Sequence, residues 1–220
     1  MTHAAWESFP LLDAHASQLI HGFTRRVVGL DVKVDREVAL QRLETIHNQT
    51  RRGANLDRHR FCFAKQVHGT TALIVQESSP AGVQGEADAL VTRSRHHCLG
   101  IYVADCCPVW AIDPETSIFG IAHAGKKGAE QGVVPRMLEA MAGLGADMAR
   151  TVVQLGPCIR PPHYEIDFTQ QIIQQSMEFG IQILEDCGLC TASHPQLYYS
   201  YRREKGKTGR MLAFAGISPT

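Results

Sequence analysis

Short apolar runs separated by turn residues fill the middle and the end of the chain, and each run predicts a β-strand. Turns such as Asp113-Pro114 and the loop SSPAG at 78–82 separate neighbouring runs. The predicted strands are FCFAKQV (61–67), TALIVQ (71–76), ADALVT (87–92), LGIYVAD (99–105), PVWAID (108–113), SIFGIAHAG (117–125), TVVQLG (151–156), LYYSYRR (197–203) and MLAFAGI (211–217).

Three segments with apolar residues at helical spacing interrupt these strands. Residues 35–49 predict a helix with Asp35 as its N-cap, and residues 167–179 predict another. Residues 128–142 predict a third, in which Pro135 marks a late start or a kink. The residues expected to face inward are Ala39, Leu43, Ile46, Val133, Val134, Met137, Leu138, Met141, Ile172, Ile173 and Met177. The pattern predicts a mixed α/β domain and not a regularly alternating doubly wound sheet.

Composition indicates an ordinary globular chain, which we expect to form one domain over residues 1–220. Basic and acidic residues number 22 each, so the zero net charge gives no overall attraction to nucleic acid or an anionic membrane. The start of the chain does not read as a signal peptide, and no apolar stretch reaches the roughly 20 residues that span a bilayer. We expect a cytoplasmic monomer or homodimer without nucleic-acid or membrane partners.

The seven cysteines are odd in number and irregular in spacing, which favours free thiols or metal ligands over a disulfide framework. The CxxC motif Cys187–Cys190 has no second copy and lacks the strand–helix context of a thioredoxin motif. It is therefore interpreted as two reduced surface or loop thiols. The cluster at 96–98 (HHC) is expected to cap a loop before the strand that follows it.

Three candidate metal ligands stand at the ends of predicted strands: His68, Cys106 and His123. Because adjacent strands lie about 4.8 Å apart, side chains at neighbouring strand ends can converge. Two imidazoles and one thiolate suit a tetrahedral Zn²⁺ with a fourth position open. Cys106 and Cys107 should face opposite sides of an extended strand, so at most one faces the site. The spacing alone fits equally well two turn histidines and a buried thiol.

The segment HAGKKGA (123–129) joins a strand to a predicted helix through a glycine loop that carries Lys126 and Lys127. Loop amides, a helix N-terminus and lysine charge together can bind an anion. The Walker A pattern GxxxxGK[ST] is absent from the segment. A tight connection with two solvated lysines is the alternative interpretation.

Four carboxylates are candidate acids, bases or supports for a ligand: Asp88, Asp105, Glu86 and Glu165. Asp105 is next to Cys106, which makes it the favoured residue to orient a ligand histidine. Each of the four could instead cap a turn.

Six motifs occur in an order that resembles the laccase-domain family, from about residue 21 to the C-terminus. The motifs are KQVHG, EADALVT, ADCCPVWAID, IAHAG, LGPCIRPPHYEI and YYSYRR. Members of that family have been labelled polyphenol oxidases, purine nucleoside phosphorylases and, in one branch, a peptidoglycan editing factor. The resemblance implies a four-layer α/β/β/α sandwich with mixed sheets. It also implies zinc, or copper, held by His68, Cys106 and His123, with Cys107 in the core.

Two departures from the family pattern concern the substrate. The family's HAGWRG is replaced by a segment with Lys126 and Lys127, which keeps a positive charge but loses the planar fork of arginine. Of the family's TRxGGxS pattern, Thr24 and Arg25 match, whereas the glycine pair and the serine do not. The chain therefore resembles a divergent member whose metal site matches the family better than its substrate contacts do.

The resemblance implies a zinc-dependent enzyme that phosphorolyses inosine and adenosine, deaminates adenosine, or does both, with nucleoside and phosphate as partners. The predicted catalytic residues are His68, Cys106, His123 and Asp105. The predicted substrate and phosphate contacts are Arg25, Gln66, Lys126 and Lys127. A peptidoglycan-precursor hydrolase and a non-catalytic metal-binding protein are alternatives. A copper polyphenol oxidase fits least, because one three-ligand site is not a multicopper relay.

Overall fold

Twelve strands and five helices form residues 6–218, the part of the chain that the computed structural model describes. The strands are β1 (Trp6–Glu7), β2 (Leu19–Thr24), β3 (Arg60–Lys65), β4 (Ala72–Val75), β5 (Gly82–Glu86), β6 (Ala89–Thr92), β7 (His97–Val103), β8 (Cys107–Asp113), β9 (Ile118–Ala124), β10 (Val152–Leu155), β11 (Ile183–Asp186) and β12 (Met211–Ile217). The helices are α1 (Pro10–His15), α2 (Arg36–Gly53), α3 (Lys126–Gln131), α4 (Val133–Gly143) and α5 (Thr169–Glu178).

The strands form two six-stranded sheets, and each sheet mixes parallel and antiparallel pairs. The first has the order β1-β2-β12-β7-β3-β5, in which β3 is parallel to both of its neighbours. The second has the order β11-β10-β8-β9-β6-β4, with a parallel pair at each edge. Many neighbours in a sheet are distant in sequence, and long crossovers connect them.

Successive side chains of a strand point to opposite faces of the sheet. In the central strands, one set of side chains therefore lies between the two sheets and the other set lies on an outer face. Side chains between the sheets include Leu99, Ile101, Val103, Trp110, Ile112, Phe119 and Ile121. Outer-face side chains include Cys98, Tyr102, Leu212, Val109, Ala111 and Ala122. Burial of each large apolar side chain contributes roughly 1.5–3 kcal/mol to the free energy of folding. The two central strands of each sheet therefore contribute much of the stability of the core.

Helices cover both outer faces of the sheet pair. On the second sheet lies α4, whose buried apolar stripe faces the strands, and α5 packs beside it. On the first sheet lies α2, where the ring of His47 is 5.6 Å from the ring of Tyr102. The resulting layer order confirms the mixed α/β/β/α architecture expected from the sequence motifs.

Two predicted elements differ from the structure. The predicted strand 197–203 is wrong: the segment forms turns, and Tyr198 and Tyr199 are buried in the core without strand pairing. The predicted helix 128–142 is two helices that break at Gly132, whose φ of +83° lies in the left-handed region that glycine tolerates. Pro135 lies in the first turn of α4, where no helical acceptor is needed for its missing N–H.

Several other elements are longer than predicted or were not predicted at all. The helix predicted for 35–49 continues to Gly53. Met177, expected to face inward on α5, is 63% exposed, and Ser176 is buried instead. The elements without a sequence prediction are β1, α1, β2, β5 and β11.

No helix in the described range is long and apolar enough to cross a membrane. The assignment of residues 1–220 to one domain stays a prediction.

Candidate metal centre and cavity

His68, Cys106 and His123 come together at the ends of the central strands β8 and β9 of the second sheet. His68 lies in the turn after β3 with a φ of +58°, and Cys106 directly precedes β8. His123 lies near the end of β9, opposite Pro108 in the β8–β9 ladder. The three ligand atoms lie within 4.8 Å of one another, and the two imidazole centroids are 4.8 Å apart. The predicted convergence of strand ends is therefore present.

A buried carboxylate, that of Asp88, holds two of these residues in place. Its Oδ1 accepts hydrogen bonds from Nδ1 of His123 at 2.8 Å and from the amide of His68 at 3.0 Å. Its Oδ2 accepts from the amides of Val67 and Gly69 at 3.2 and 2.7 Å. Because Nδ1 of His123 is engaged, Nε2 remains to act as a ligand.

The carboxylate of Asp105 is hydrogen-bonded to residues other than the candidate ligand histidines. Its carboxylate accepts from the hydroxyls of Thr191 and Ser200 at 2.6 and 3.0 Å, and from the amide of Arg202 at 2.7 Å. The residue therefore ties the C-terminal turns to the loop before Cys106. Asp88 is one of the four candidate carboxylates in the sequence, where it directly precedes an apolar strand within EADALVT. Its contact with His123 in the tertiary structure distinguishes it from the other three.

The protonation equilibria of the cluster favour a metal-binding thiolate. Burial opposes ionisation of Cys106, but the imidazoles of His123 and His68 outweigh it and lower the pKa of Cys106 to about 6. Burial would also lower the pKa of His123, but Cys106 and Asp88 raise it to about 9. The two groups titrate as a pair, with the proton on the imidazole and the negative charge on sulfur. A metal cation can replace that proton, so the donor set fits a borderline-soft divalent ion.

The backbone at Gly125 passes close to the cluster. A Cβ built at this position would lie 2.8 Å from Sγ of Cys106 and 3.5 Å from Cδ2 of His68. The first distance is too short for two heavy atoms, so only glycine leaves the thiolate in its place. The glycine of HAG is thus a packing requirement of the site.

A cavity of about 1150 Å³ opens beside the cluster. Its lining combines the three candidate ligands with aromatic and charged side chains and one amide, that of Gln66. These are Asp35, Arg36, Glu37, Lys65, Gln66, Tyr102, Asp105, Lys126, Lys127, Glu130, Tyr164, Phe168, Tyr201, Arg202 and Arg210. The volume slightly exceeds that of a typical small-molecule pocket and accommodates a nucleoside-sized ligand with a second small group.

The residues predicted to contact substrate have different positions. Lys126 and Lys127 line the cavity and are exposed, with Lys126 Nζ 4.0 Å from a carboxylate oxygen of Glu130. Gln66 also lines it, but its amide pairs with the backbone of Tyr102, donating at 2.8 Å and accepting at 3.0 Å. That side chain extends the β3–β7 pairing beyond the end of the strand.

Arg25 lies outside the cavity lining. Its Nη2 is 3.2 Å from a carboxylate oxygen of Glu7, with which it forms an ion pair. The structure thus gives this arginine a partner on β1 and does not bring it to the candidate metal ligands.

The other cysteines are free thiols. Cys107 is buried on the outer face of the second sheet, which confirms the opposite orientations of the two adjacent cysteines. Cys187 is half-buried and Cys190 is buried, so the CxxC pair is less exposed than the surface or loop thiols predicted. His97 begins β7, and its ring is hydrogen-bonded to Oγ of Ser94 in the preceding turn at 2.8 Å and to the carbonyl of Ser79 at 2.9 Å, as expected for a residue that caps this loop. Cys98 is buried within the strand.

The family model described as multi-copper polyphenol oxidoreductase laccase matches residues 27–174 and 163–218. The chain belongs to this laccase family. The match confirms the resemblance drawn from the six motifs, and it covers nearly all of the two sheets.

Relatives and solved structures of the laccase family agree with this assignment. A purine nucleoside phosphorylase from Deinococcus radiodurans is 32% identical over 94% of this chain and 93% of its own length. A purine nucleoside phosphorylase from Corynebacterium glutamicum is 30% identical over 67% of this chain and 70% of its own length. The crystal structure of Bacillus licheniformis hypothetical protein YfiH has a TM-score of 0.82 at 24% identity and covers 97% of this chain and 99% of that one. The structural match supports the fold alone.

Proposed function

We propose that this laccase-family chain is a metal-dependent enzyme of purine nucleosides that catalyses phosphorolysis of inosine and adenosine, deamination of adenosine, or both. The observation that carries the proposal is the placement of His68, Cys106 and His123 in the wall of a nucleoside-sized cavity. The names of the relatives from Deinococcus radiodurans and Corynebacterium glutamicum support the substrate class.

Zinc is the proposed metal, and copper is the alternative. The ligands would be His68, Cys106 and His123, a set of two imidazoles and a thiolate that suits zinc with an open position. When bound, the metal would supply Lewis-acid chemistry to an oxygen in the cavity. Within residues 6–218 this is the only group of three or more His, Cys, Asp or Glu side chains arranged to hold a metal. A multicopper relay requires further copper sites, so we do not propose the oxidase activity in the family's description.

The cavity lining has the chemistry needed to bind a nucleoside. The half-buried ring of Tyr164 offers apolar surface for a flat base, and buried Phe168 supports it in an edge-to-face arrangement with the ring centroids 6.0 Å apart. The guanidinium of Arg202 lies 4.9 Å from the ring centroid of Tyr164, which keeps a cation beside that surface. We propose that the base binds at this aromatic wall.

Phosphorolysis requires phosphate and nucleoside to bind together in one relative orientation. A phosphate oxygen forms a bond to C1′ of the ribose as the C1′–N9 bond breaks, and the bond pair leaves with the base, which takes up a proton. Lys126 and Lys127 add positive charge at the cavity mouth, where it attracts phosphate and offsets the charge of the transition state. Deamination of adenosine would instead use water and would proceed without phosphate.

The test is chromatography of inosine and adenosine incubated with zinc-loaded protein, with and without phosphate. We compare the wild type with Cys106→Ala and with Cys187→Ala, a control that removes a half-buried thiol outside the cavity. The proposal expects conversion by the wild type and by Cys187→Ala, with a loss of at least about 100-fold in Cys106→Ala.

The phosphate dependence separates the two reactions. Free base that forms only with phosphate indicates phosphorolysis, whereas inosine formed from adenosine without phosphate indicates deamination. No conversion of either nucleoside by metal-loaded wild-type protein would overturn the proposed function, and cell-wall precursors would be the next substrates to test.

A further inference from the structure

Two arginines in the described range, Arg160 and Arg210, are buried to the same extent, each 8% exposed. Nη2 of Arg160 lies 2.5 Å from Asp186, and its Nη1 donates to Thr169 at 2.9 Å. Arg210 has no carboxylate oxygen within 4.0 Å among the described residues. Since burying an unpaired charge is unfavourable, a guanidinium kept in this state calls for a partner that is not part of the chain.

The guanidinium of Arg210 is held in place from one side. Its Nη1 donates to the carbonyls of Thr208 and Gly209 at 2.8 and 3.0 Å. The ring of Tyr201 lies 5.7 Å from its Cζ. Nε and Nη2 donate to no atom of residues 6–218, and the side chain lines the cavity beside the metal cluster. The N–H groups at Nε and Nη2 of this fixed, planar guanidinium therefore remain available to bind a ligand.

A second cation, Arg36, also lines the cavity and lies near enough to Arg210 for the two charges to interact. Burial lowers the pKa of Arg210, and the positive charge of Arg36 lowers it further, because the two guanidiniums repel each other. The smaller opposing effects of Tyr201, Cys106 and Asp105 do not offset this. Arg36 is the first residue of α2, whose N-cap Asp35 makes no side-chain hydrogen bond to the first turn. Within residues 6–218, the carboxylate that lies within 4.0 Å of the Arg36 guanidinium is that of exposed Glu37, 3.7 Å from its Nη1. An anion that contacts both arginines would relieve their repulsion. The positive end of the 18-residue helix favours such an anion and counteracts the repulsion from the nearby carboxylates of Asp35 and Glu37, which line the same cavity.

We propose that Arg210 and Arg36 form an oxyanion-binding subsite that takes inorganic phosphate. Phosphate has more acceptor oxygens and more negative charge than a carboxylate, so it can accept hydrogen bonds from both guanidiniums at once. The identification of phosphate as the physiological ligand rests on the proposed function, since phosphorolysis consumes it. The exposed lysines at 126 and 127 then attract phosphate to the cavity, whereas Arg210 binds it.

The test is calorimetric titration of the metal-free full-length protein with inorganic phosphate, so that no metal can bind the anion. We compare the wild type with Arg210→Gln and Arg36→Gln, using Arg160→Gln as the matched buried control. Arg210→Gln should weaken phosphate binding by about 10- to 100-fold, as expected for loss of a charged hydrogen-bonding partner. Arg36→Gln should weaken phosphate binding several-fold. Because Arg36 lies on the partly exposed first turn of α2, this variant should fold even if Arg210→Gln does not, and the proposal can still be tested.

The control separates binding from structure. Arg160→Gln should lower the melting temperature, because it removes the ion pair with Asp186 and leaves that carboxylate unpaired. It should leave the phosphate affinity unchanged. Arg210→Gln should lose the phosphate-induced rise in melting temperature that the wild type shows. Unchanged phosphate affinity in both Arg210→Gln and Arg36→Gln would overturn the subsite, as would displacement of phosphate by acetate at equal concentration and ionic strength.

Binding and turnover give independent answers. If phosphate binds through Arg210 and nucleosides are not converted, the subsite stands and the proposed function fails. If nucleosides are phosphorolysed with the same KM for phosphate in Arg210→Gln, the function stands and the subsite fails.

Discussion

The carboxylate of Asp88 accepts a 2.8 Å hydrogen bond from Nδ1 of His123, and the same oxygen accepts the amide of His68. One buried side chain thereby fixes the ring of one candidate ligand and the backbone of another. Burial raises the pKa of Asp88, but its hydrogen bonds with His123 and with the amides of Gly69 and Val67 outweigh burial, and the pKa lies below its usual range. The geometry of the metal centre therefore depends on a residue that is not itself a ligand.

We expect Asp88→Asn to weaken metal binding by about 10- to 100-fold, as is usual for loss of a carboxylate behind a ligand histidine. Asparagine must turn its NH₂ toward at least one N–H donor that the carboxylate now satisfies, so the ring of His123 loses its fixed orientation. The measurement is competitive zinc titration with a chromogenic chelator. Glu86→Gln, which alters only an exposed ion pair with Lys65, serves as the control. Equal zinc affinities in all three proteins would contradict the role of Asp88.

Gly125→Ala should disrupt the cluster, and Gly128→Ala should not. An alanine Cβ at 125 would lie 2.8 Å from the sulfur of Cys106, whereas at 128 its nearest neighbours are 3.4 Å away, an ordinary contact. We expect Gly125→Ala to lower zinc affinity at least about tenfold, because displacement of one ligand degrades the coordination geometry. The check is the same chelator titration, together with the melting temperature. A Gly128→Ala variant with the larger loss would show that the distance to sulfur is not what matters.

Asp113→Asn should destabilise the fold without changing metal affinity. The buried carboxylate accepts from Nε and Nη2 of Arg150 at 2.7 and 3.0 Å and from the amide of Asp147 at 3.0 Å. Removing the charge leaves Arg150 without its main partner, and we expect a loss of about 2–4 kcal/mol in urea unfolding. Arg136→Gln, which breaks an exposed pair with Glu139, should change stability by less than about 1 kcal/mol. Similar losses in both variants would argue against burial as the cause.

Buried His47 should make the fold sensitive to mild acid. Burial lowers the pKa of His47 to about 4, against an unfolded value of about 6.5. Between these values the unfolded chain holds a proton that the folded chain does not, so the free energy of unfolding falls as pH falls. The contribution is at most about 3 kcal/mol over this window.

The pH dependence of unfolding can be assigned to this residue by substitution. His47→Phe keeps a ring against Tyr102 and removes the titrating group, so urea unfolding from pH 7 to 4.5 should show a shallower slope than in the wild type. His96→Gln, at an exposed histidine, should leave the slope unchanged. A His47→Phe slope equal to that of the wild type would assign the acid sensitivity to other groups.

Local patterns predicted most of the central strands and the three candidate ligands. The strands from β6 to β9 and β12 are continuous apolar runs bounded by turn residues, and such runs favour a buried strand. The segment at 197–203 has the same apolar and aromatic pattern, but it forms turns. The buried hydroxyl of Tyr198 donates to Glu7, and that of Tyr199 accepts from the amide of Val27. Burial and strand pairing produce the same sequence pattern, so periodicity cannot separate them.

The sequence by itself determined the residue types of the metal centre, the flanking glycine and the family, because these depend on short motifs and their order. Only the tertiary structure decided which polar groups support them. Asp88 meets His123 across 35 positions of chain, and Arg210 reaches the cavity of Cys106 from the far end of the sequence. Strand order brings such residues together, and strand order in mixed sheets arises from packing between distant segments, which local periodicity does not encode.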